Sequence, residues 1–472
     1  MIYDIIVLGG GIAGLYTTYE ILKRDPTKIV LLLEKDSVLG GRVHTFHSRF
    51  MTVDAGAGRF SSNHHRIVRL IDELGLHSKI SDATSSAVYM KANGSGTESR
   101  SILDAPYENS FSLTLVKAPD PKILIEPVLN ATIDIALGVK NLPNAGLFAK
   151  VILVSKGESS DKLRNISFIT FAKTILTKNE IEFMIDSYGF YSELFIMNAF
   201  DAIRIMESLN PMNKFFVLRG GLSQMIEGLT KKIQNYNHKN NHKHKNNAHN
   251  NAHILLNRTV SGIHKTADHL FEIRCANTKT RYLGRKLICA LPKQVLETFR
   301  IFRPVFPLLR KINCAPLCRI YCKFDVSPET GGKAWFHGLS KLTTNNYLRM
   351  MIPINEKEGV IMISYTDGPF SEFWKDLYDR DGMKGVETTL ARLVFDSTGR
   401  NMPVPASTNV FYWACGVGYW GVGADSAAIS KRMTKPMDDL EIYVCGEHFS
   451  ENYQQWMEGA LETSDAVLQC LS

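Results

Sequence analysis

The chain has 472 residues, 44% hydrophobic and 22% charged, an ordinary globular composition long enough for two large domains. Its net charge of +8 comes without a basic stripe interleaved with aromatics, which argues against nucleic-acid binding. No apolar run reaches the roughly 18 residues of a membrane span, and no basic leader precedes a first strand at Ile2, so a cytoplasmic protein off the membrane is expected.

The run Ile5-Ile6-Val7-Leu8 suits a strand buried on both faces, as in a parallel sheet. Gly9-Gly10-Gly11-Ile12-Ala13-Gly14 follows, and then Ile12, Leu15, Tyr16, Tyr19 and Leu22 form one helical stripe. Asp25-Pro26 ends that helix, and a second apolar run from Ile29 to Leu33 closes on Glu34. This order predicts a dinucleotide-binding unit. Gly9 permits the tight turn, Gly11 lets backbone approach a pyrophosphate, and Gly14 lets helix and strand pack closely. The phosphates would face the first helical amides, at Ile12 and Ala13, where the dipole favours anions. Glu34 stands where a carboxylate accepts from a ribose hydroxyl, which argues against NADP; the fingerprint alone does not separate FAD from NAD.

Beyond Glu34 and Lys35, Gly40-Gly41-Arg42 can fold back to the cofactor and add a fixed cation at a phosphate. Residues 81–211 read as a loop-rich part followed by helices around Phe168–Leu176 and Lys178–Ile185. The tract 237–253, rich in Asn, His and Lys, reads as a solvated loop expansion because nothing apolar orders it. Residues 301–404 read mainly as strands, such as Arg319–Phe324 and Val360–Tyr365, with a helix near Val386–Phe395. Cys314, Cys318 and Cys322 recur at intervals of four, but Pro316 interrupts them and no nearby His or carboxylate completes a metal site, so no metal is expected. The eight cysteines make no disulfide framework and are expected as reduced thiols. Ile442 to Cys445 forms a short buried strand, Gly446 lets the chain approach a ligand, and a helix runs from Trp456 to about Leu471.

Taken together, these blocks resemble the flavin amine oxidase family, whose members include monoamine, polyamine and L-amino-acid oxidases. Asp54-Ala55-Gly56-Ala57-Gly58-Arg59-Phe60 resembles the loop that passes the flavin ring. Arg219-Gly220-Gly221-Leu222-Ser223-Gln224 resembles the turn that opens the second half of the cofactor domain, and Asn257-Arg258-Thr259-Val260 the strand whose Val meets the adenosine part. Tyr443-Val444-Cys445-Gly446-Glu447, with Gln455-Trp456-Met457-Glu458-Gly459-Ala460, resembles the carboxy-terminal flavin block. The likeness covers residues 85–180 worst.

The resemblance implies an α/β fold: a discontinuous Rossmann-type FAD domain over 1–80, 212–300 and 405–472, and a mixed α+β substrate domain over 81–211 and 301–404. Its expected FAD contacts are Gly9, Gly11, Ile12, Ala13, Gly14, Glu34, Lys35, Gly41, Arg42, Gly58, Arg59, Val260, Gly446, Glu447, Trp456 and Met457. The chemistry implied is hydride transfer from an amine or L-amino acid to flavin N5, with O2 as acceptor. Family members place an aromatic pair before the flavin: Trp456 matches one member, and Trp420, with Tyr419 next, is chosen for the other. Cys415 falls too early to attach flavin and Val422 stands nearer that position, so non-covalent FAD is expected. Arg319 stands where many members carry a Lys that holds a water at N5, although Lys323 lies on the same strand face. Arg stays protonated and shuttles no protons. Alternatives are a flavin desaturase or protoporphyrinogen-type oxidase, and a catalytically impaired flavin-binding scaffold.

Overall fold

The computed structural model describes residues 1–83, 87–91, 100–101, 145–208, 214–243, 251–326 and 331–471. The two apolar runs form the strands Ile2–Leu8 and Val30–Leu33, side by side in parallel. Ala252–Leu255 lies beyond Val30–Leu33, and Arg281–Cys289 flanks Ile2–Leu8, both in parallel. Ile442–Val444 also pairs in parallel with Arg281–Cys289, so distant parts of the chain complete one sheet. Phe271–Cys275 and Val260–Lys265 extend it as antiparallel strands. Strand side chains alternate between faces. Ile5 and Val7 pack against Leu15, Leu22, Leu229 and Leu461 of the helices on one side. Ile6 and Leu8 meet Leu287, Phe302 and Ile429 on the other. The sheet is thus covered on both faces, as its uninterrupted apolar strands require.

The second sheet runs in the order Ser407–Trp420, Ile312–Lys323, Val360–Asp367, Met350–Asn355, Lys341–Thr344, Ala87–Lys91, Arg100–Ser101. Its strands are antiparallel except for Lys341–Thr344 against Ala87–Lys91. Cys318, Ile320 and Ile363 point to one face, where they pack under Trp374, Leu390 and Val394 of the helix Pro369–Thr398. Arg319, Tyr321 and Tyr365 point to the other, toward the cofactor unit. A further core around Phe148, Phe168, Phe171 and Met184 belongs to the helices between Ala145 and Ser208.

Three sequence expectations are corrected. The strand Ser407–Trp420, placed by sequence in the cofactor domain, pairs along its length with Ile312–Lys323 of the second sheet. The first part of the Asn/His/Lys tract continues a 21-residue helix, Ser223–Lys243, and its last two residues open the strand Ala252–Leu255; residues 244–250 lie outside the described residues. That helix is anchored in the core by Met225, Leu229 and Ile233, and no Gly or Pro follows them before Lys243. Cys314 and Cys415, on adjacent strands with Cα atoms 5.4 Å apart, form a disulfide, so the eight cysteines are not all free thiols. Among the described residues no helix is long and apolar enough to cross a membrane.

Candidate active site

The glycine turn has the geometry its spacing predicts. Gly9 has φ +101°, and a Cβ there would lie 2.5 Å from Ala290 O; a Cβ on Gly14 would lie 2.0 Å from Gly9 O. Gly11 differs: a Cβ there would meet only Gly40 O, at 3.8 Å, so its outer side is open. Gly41 lies against Gly11, and Gly40 N donates to Gly10 O at 2.9 Å, which seats the second glycine turn on the first. The helix Ile12–Arg24 begins at Gly11 with no side-chain cap and no acid in its first turn. Its amino-terminal amides, Ile12 and Ala13 included, are therefore available to an anion.

Glu34 is buried and aimed at this turn. Its Oε2 accepts from Gly10 N at 2.7 Å and its Oε1 from Asp36 N at 2.8 Å, and each oxygen keeps a lone pair for a ribose hydroxyl. Arg258 N donates to Glu34 O, which brings the start of the Val260–Lys265 strand beside the acid. Lys35 is exposed, with its ammonium held by Asp36. The open glycine face, the uncapped helix and the fixed carboxylate fit the pyrophosphate and ribose of FAD.

Arg42 closes the far side. Its Nη1 donates to Gly416 O at 3.0 Å and pairs with Glu447 Oε2 at 3.1 Å. Glu447 Oε1 accepts from Gly418 N at 2.6 Å. Burial works to raise the Glu447 carboxyl, but Arg42, His448 and the Gly418 amide together hold it below its usual range. Burial pushes His448 down to about 4, although Glu447 acts the other way. Gly446, at φ +132°, leaves open space where a side chain would stand, and its N–H donates to Thr463 Oγ1. Trp456 caps the start of the helix Met457–Cys470; Met457 is buried in the core beneath it.

The loop that carries Gly58 is docked onto the second sheet by three donors, all to backbone carbonyls. Arg319 Nη1 donates to Asp54 O at 2.9 Å, Tyr321 Oη to the same oxygen at 2.8 Å, and Trp413 Nε1 to Ala55 O at 2.9 Å. The Arg319 guanidinium lies over the Tyr365 ring, 4.6 Å from its centroid. Burial opposes its charge, yet Tyr365, Tyr321 and Asp54 raise its pKa, so it stays a fixed cation. Lys323 does not replace it: its ammonium bonds Phe324 O and Glu358 O at the end of the strand.

Arg59 lies over Phe215, at 4.6 Å, and Trp456, at 5.7 Å. Trp456 also meets the His64 ring edge-on and stacks on Phe215. Among the described residues no carboxylate forms an ion pair with Arg59. Burial and then Arg59 push Lys341 down to about 7. Burial pushes Glu193 up to about 7, against the hydrogen bond from Tyr188, and Asp367 adds to the rise. His64 is buried, pushed down to about 3, and takes a hydrogen bond from Ser61 N on Nδ1. Arg59 and Arg319 thus lie as cations against the rings of Phe215, Trp456 and Tyr365, while burial favours the neutral form of Lys341.

The aromatic partner chosen from sequence is corrected. Trp420 is 1% exposed, packs with Ile312, Ile429 and Phe449, and donates from Nε1 to Ser450 O. Tyr419 points the opposite way into the helical core. Trp420 also floors a cavity of about 490 Å³ lined by Arg66, Arg204, Glu207, Glu451 and Tyr453, but each charged group there already has a partner. Sequence reasoning missed Trp413, Tyr365, Phe215, Lys341 and Glu193. Their roles depend on strand register and on contacts between segments far apart in the chain, which no local pattern carries.

Comparison with known proteins agrees with this geometry. The family model for flavin containing amine oxidoreductase matches residues 12–467. Aplysianin-A of Aplysia kurodai is 21% identical over 538 residues, covering 99% of this chain and 89% of that protein. Flavin-containing amine oxidase A of Equus caballus is 37% identical over 75 residues, 16% of this chain and 14% of that one. A redesigned putrescine oxidase superposes with a TM-score of 0.69 at 13% identity, covering 99% of each chain. A chain from Exiguobacterium sp. 255-15 assigned as a protoporphyrinogen oxidase gives 0.66 at 15% identity, covering 99% of this chain and 98% of that one. With a family match over nearly its whole length and a glycine cradle fitted to FAD, this chain belongs to the flavin-containing amine oxidoreductase family.

Proposed function

We propose that this protein oxidises an amine that carries a carboxylate, an L-amino acid, with non-covalently held FAD and O2 as the final acceptor. The observation that carries the reading is Arg59, a cation with no ion-pair partner among the described residues, laid over Phe215 and Trp456. A substrate carboxylate on Arg59 forms a charge-assisted pair and neutralises a half-buried guanidinium. FAD, when bound, accepts the hydride equivalent from the carbon next to nitrogen. The chain supplies binding, orientation and exclusion of water. Trp456 and Phe215 give a flat apolar wall, and Arg59 fixes one end of the substrate against it. The carbon–nitrogen bond becomes an imine as the C–H pair leaves; water then yields the oxo acid and ammonia, and O2 leaves as peroxide.

Non-covalent FAD is supported by the side chains present: Cys415 is engaged with Cys314, and Val422 offers no nucleophile. Arg319 favours a second reading on one point only. A cation that keeps its proton holds water but relays no proton, so reoxidation by O2 is slow and an organic acceptor takes its place. The experiment is peroxide release, with anaerobic bleaching of the flavin, for L-amino acids against their decarboxylated amines. Bleaching by the amino acids and not the amines is expected. Equal bleaching by both overturns the carboxylate reading, and bleaching without peroxide selects the dehydrogenase.

A further inference from the structure

The disulfide Cys314–Cys415 lies against the Arg42 site. Cys415 Sγ is 3.6 Å from His448 Nε2, and that nitrogen is 3.2 Å from Arg42 Nη1. The next residue, Gly416, supplies the carbonyl that holds Arg42, and Gly418 supplies the amide that holds Glu447. One short stretch of strand therefore carries the disulfide and both anchors of the Arg42–Glu447 pair. Cys314, Cys415 and His448 have ligand atoms within 4.8 Å of one another, but the sulfur–sulfur bond and the Arg42 guanidinium beside them disfavour a metal cation.

We propose that Cys314–Cys415 is a reversible thiol–disulfide site, reduced by a dithiol, whose opening loosens the grip of Arg42 on FAD. The coupling rests on the reading that Arg42 contacts a cofactor phosphate. The two sulfurs are not equivalent. Cys415 is the better leaving group, because the neutral His448 ring can hydrogen-bond its departing sulfur from Nε2 and Arg42 stands on the other side of that nitrogen, so attack falls on Cys314. A thiolate of the dithiol bonds to Cys314 Sγ, and the Cys314–Cys415 bond breaks with its electron pair on Cys415. The second thiol of the reductant then bonds to the first, which breaks the mixed disulfide and releases Cys314. The dithiol leaves as a cyclic disulfide. Of its two protons, one stays on Cys314 and one goes to solvent, while Cys415 remains a thiolate. That thiolate is a new anion separated from Arg42 by His448 Nε2, and it competes with the phosphate for the same cation.

The test uses the purified holoprotein under air, with and without dithiothreitol. Thiols are counted after denaturation, and FAD retention is read from the fluorescence of released flavin. Six thiols are expected before reduction and eight after. Reduction should weaken FAD retention on the order of tenfold, the scale of one charge-assisted hydrogen bond. Cys415→Ser, which cannot form the anion, should keep FAD regardless of dithiol, and Cys318→Ser, a buried cysteine outside the pair, should respond like the unmodified protein. Eight thiols before reduction overturn the proposal, and so does a rise from six to eight with unchanged retention. Arg42→Ala separates the two ideas: if it binds FAD as well as the parent, the phosphate reading fails, whatever the thiol count.

Discussion

Gly58 and Arg319 compete for one space: a Cβ on residue 58 would lie 2.8 Å from Arg319 Nη1. The same nitrogen donates to Asp54 O, so the glycine is what lets the guanidinium reach the loop it docks. Gly58→Ala should push the flexible end of Arg319 aside at small cost to the fold, within about 1 kcal/mol. Turnover should fall on the order of tenfold, because the loop that Arg319 docks through Asp54 O is displaced with the guanidinium. Thermal melting and steady-state peroxide release check this; a large loss of Tm with unchanged kcat would contradict it.

Arg59→Met keeps an apolar stem over Phe215 and Trp456 but removes the charge. An amino-acid substrate should lose kcat/KM by roughly 10- to 100-fold, the scale of a hydrogen bond to a charged group. The matching amine should lose little, and FAD content should hold. Parallel losses for both substrates would remove Arg59 from carboxylate binding.

Two tryptophans should respond in opposite ways. Trp456→Ala opens the wall beside Arg59 and should lower turnover while FAD stays bound. Trp420→Ala empties a fully buried site and should cost about 3–5 kcal/mol of stability. Melting curves and flavin spectra for the pair decide it. A Trp456→Ala protein without flavin would contradict the wall, and a Trp420→Ala protein of unchanged Tm would contradict the core assignment.

Glu193 gives a pH signature. Its carboxyl is raised from 4.5 to about 7 by burial and then by Asp367, against Tyr188. Between those values the unfolded chain releases a proton that the folded chain keeps. The stability from Glu193 is therefore full below about 4.5 and is lost as pH rises through about 7, at most on the order of 3 kcal/mol. Glu193→Gln keeps an acceptor for Tyr188 and removes the titration. Tm measured from pH 5 to 8 should fall more steeply for the parent than for Glu193→Gln; equal slopes would place the titration elsewhere.

Much of the cofactor side was legible because its signals are local. Gly9, Gly11, Gly14 and Glu34 sit at spacings set by one strand, one turn and one helix, and covalent geometry carries those spacings into the fold. The stripe through Leu15, Tyr19 and Leu22 needs only the helical period to reach the core. The Asn/His/Lys tract misled because polarity argues for a loop, whereas a helix already seated by Leu229 and Ile233 runs on into it.

By itself, the sequence determined that this protein builds a dinucleotide cradle with a buried acid and a flavin-type carboxy-terminal block. Only the tertiary structure decided that Trp420 is core, that Arg319 serves Asp54 and Tyr365, and that Arg59 lies on Phe215 and Trp456. It also joined Cys314 to Cys415. The reason is register: shifting a strand by one residue exchanges its two faces, and partners hundreds of residues apart leave no periodic trace in the chain.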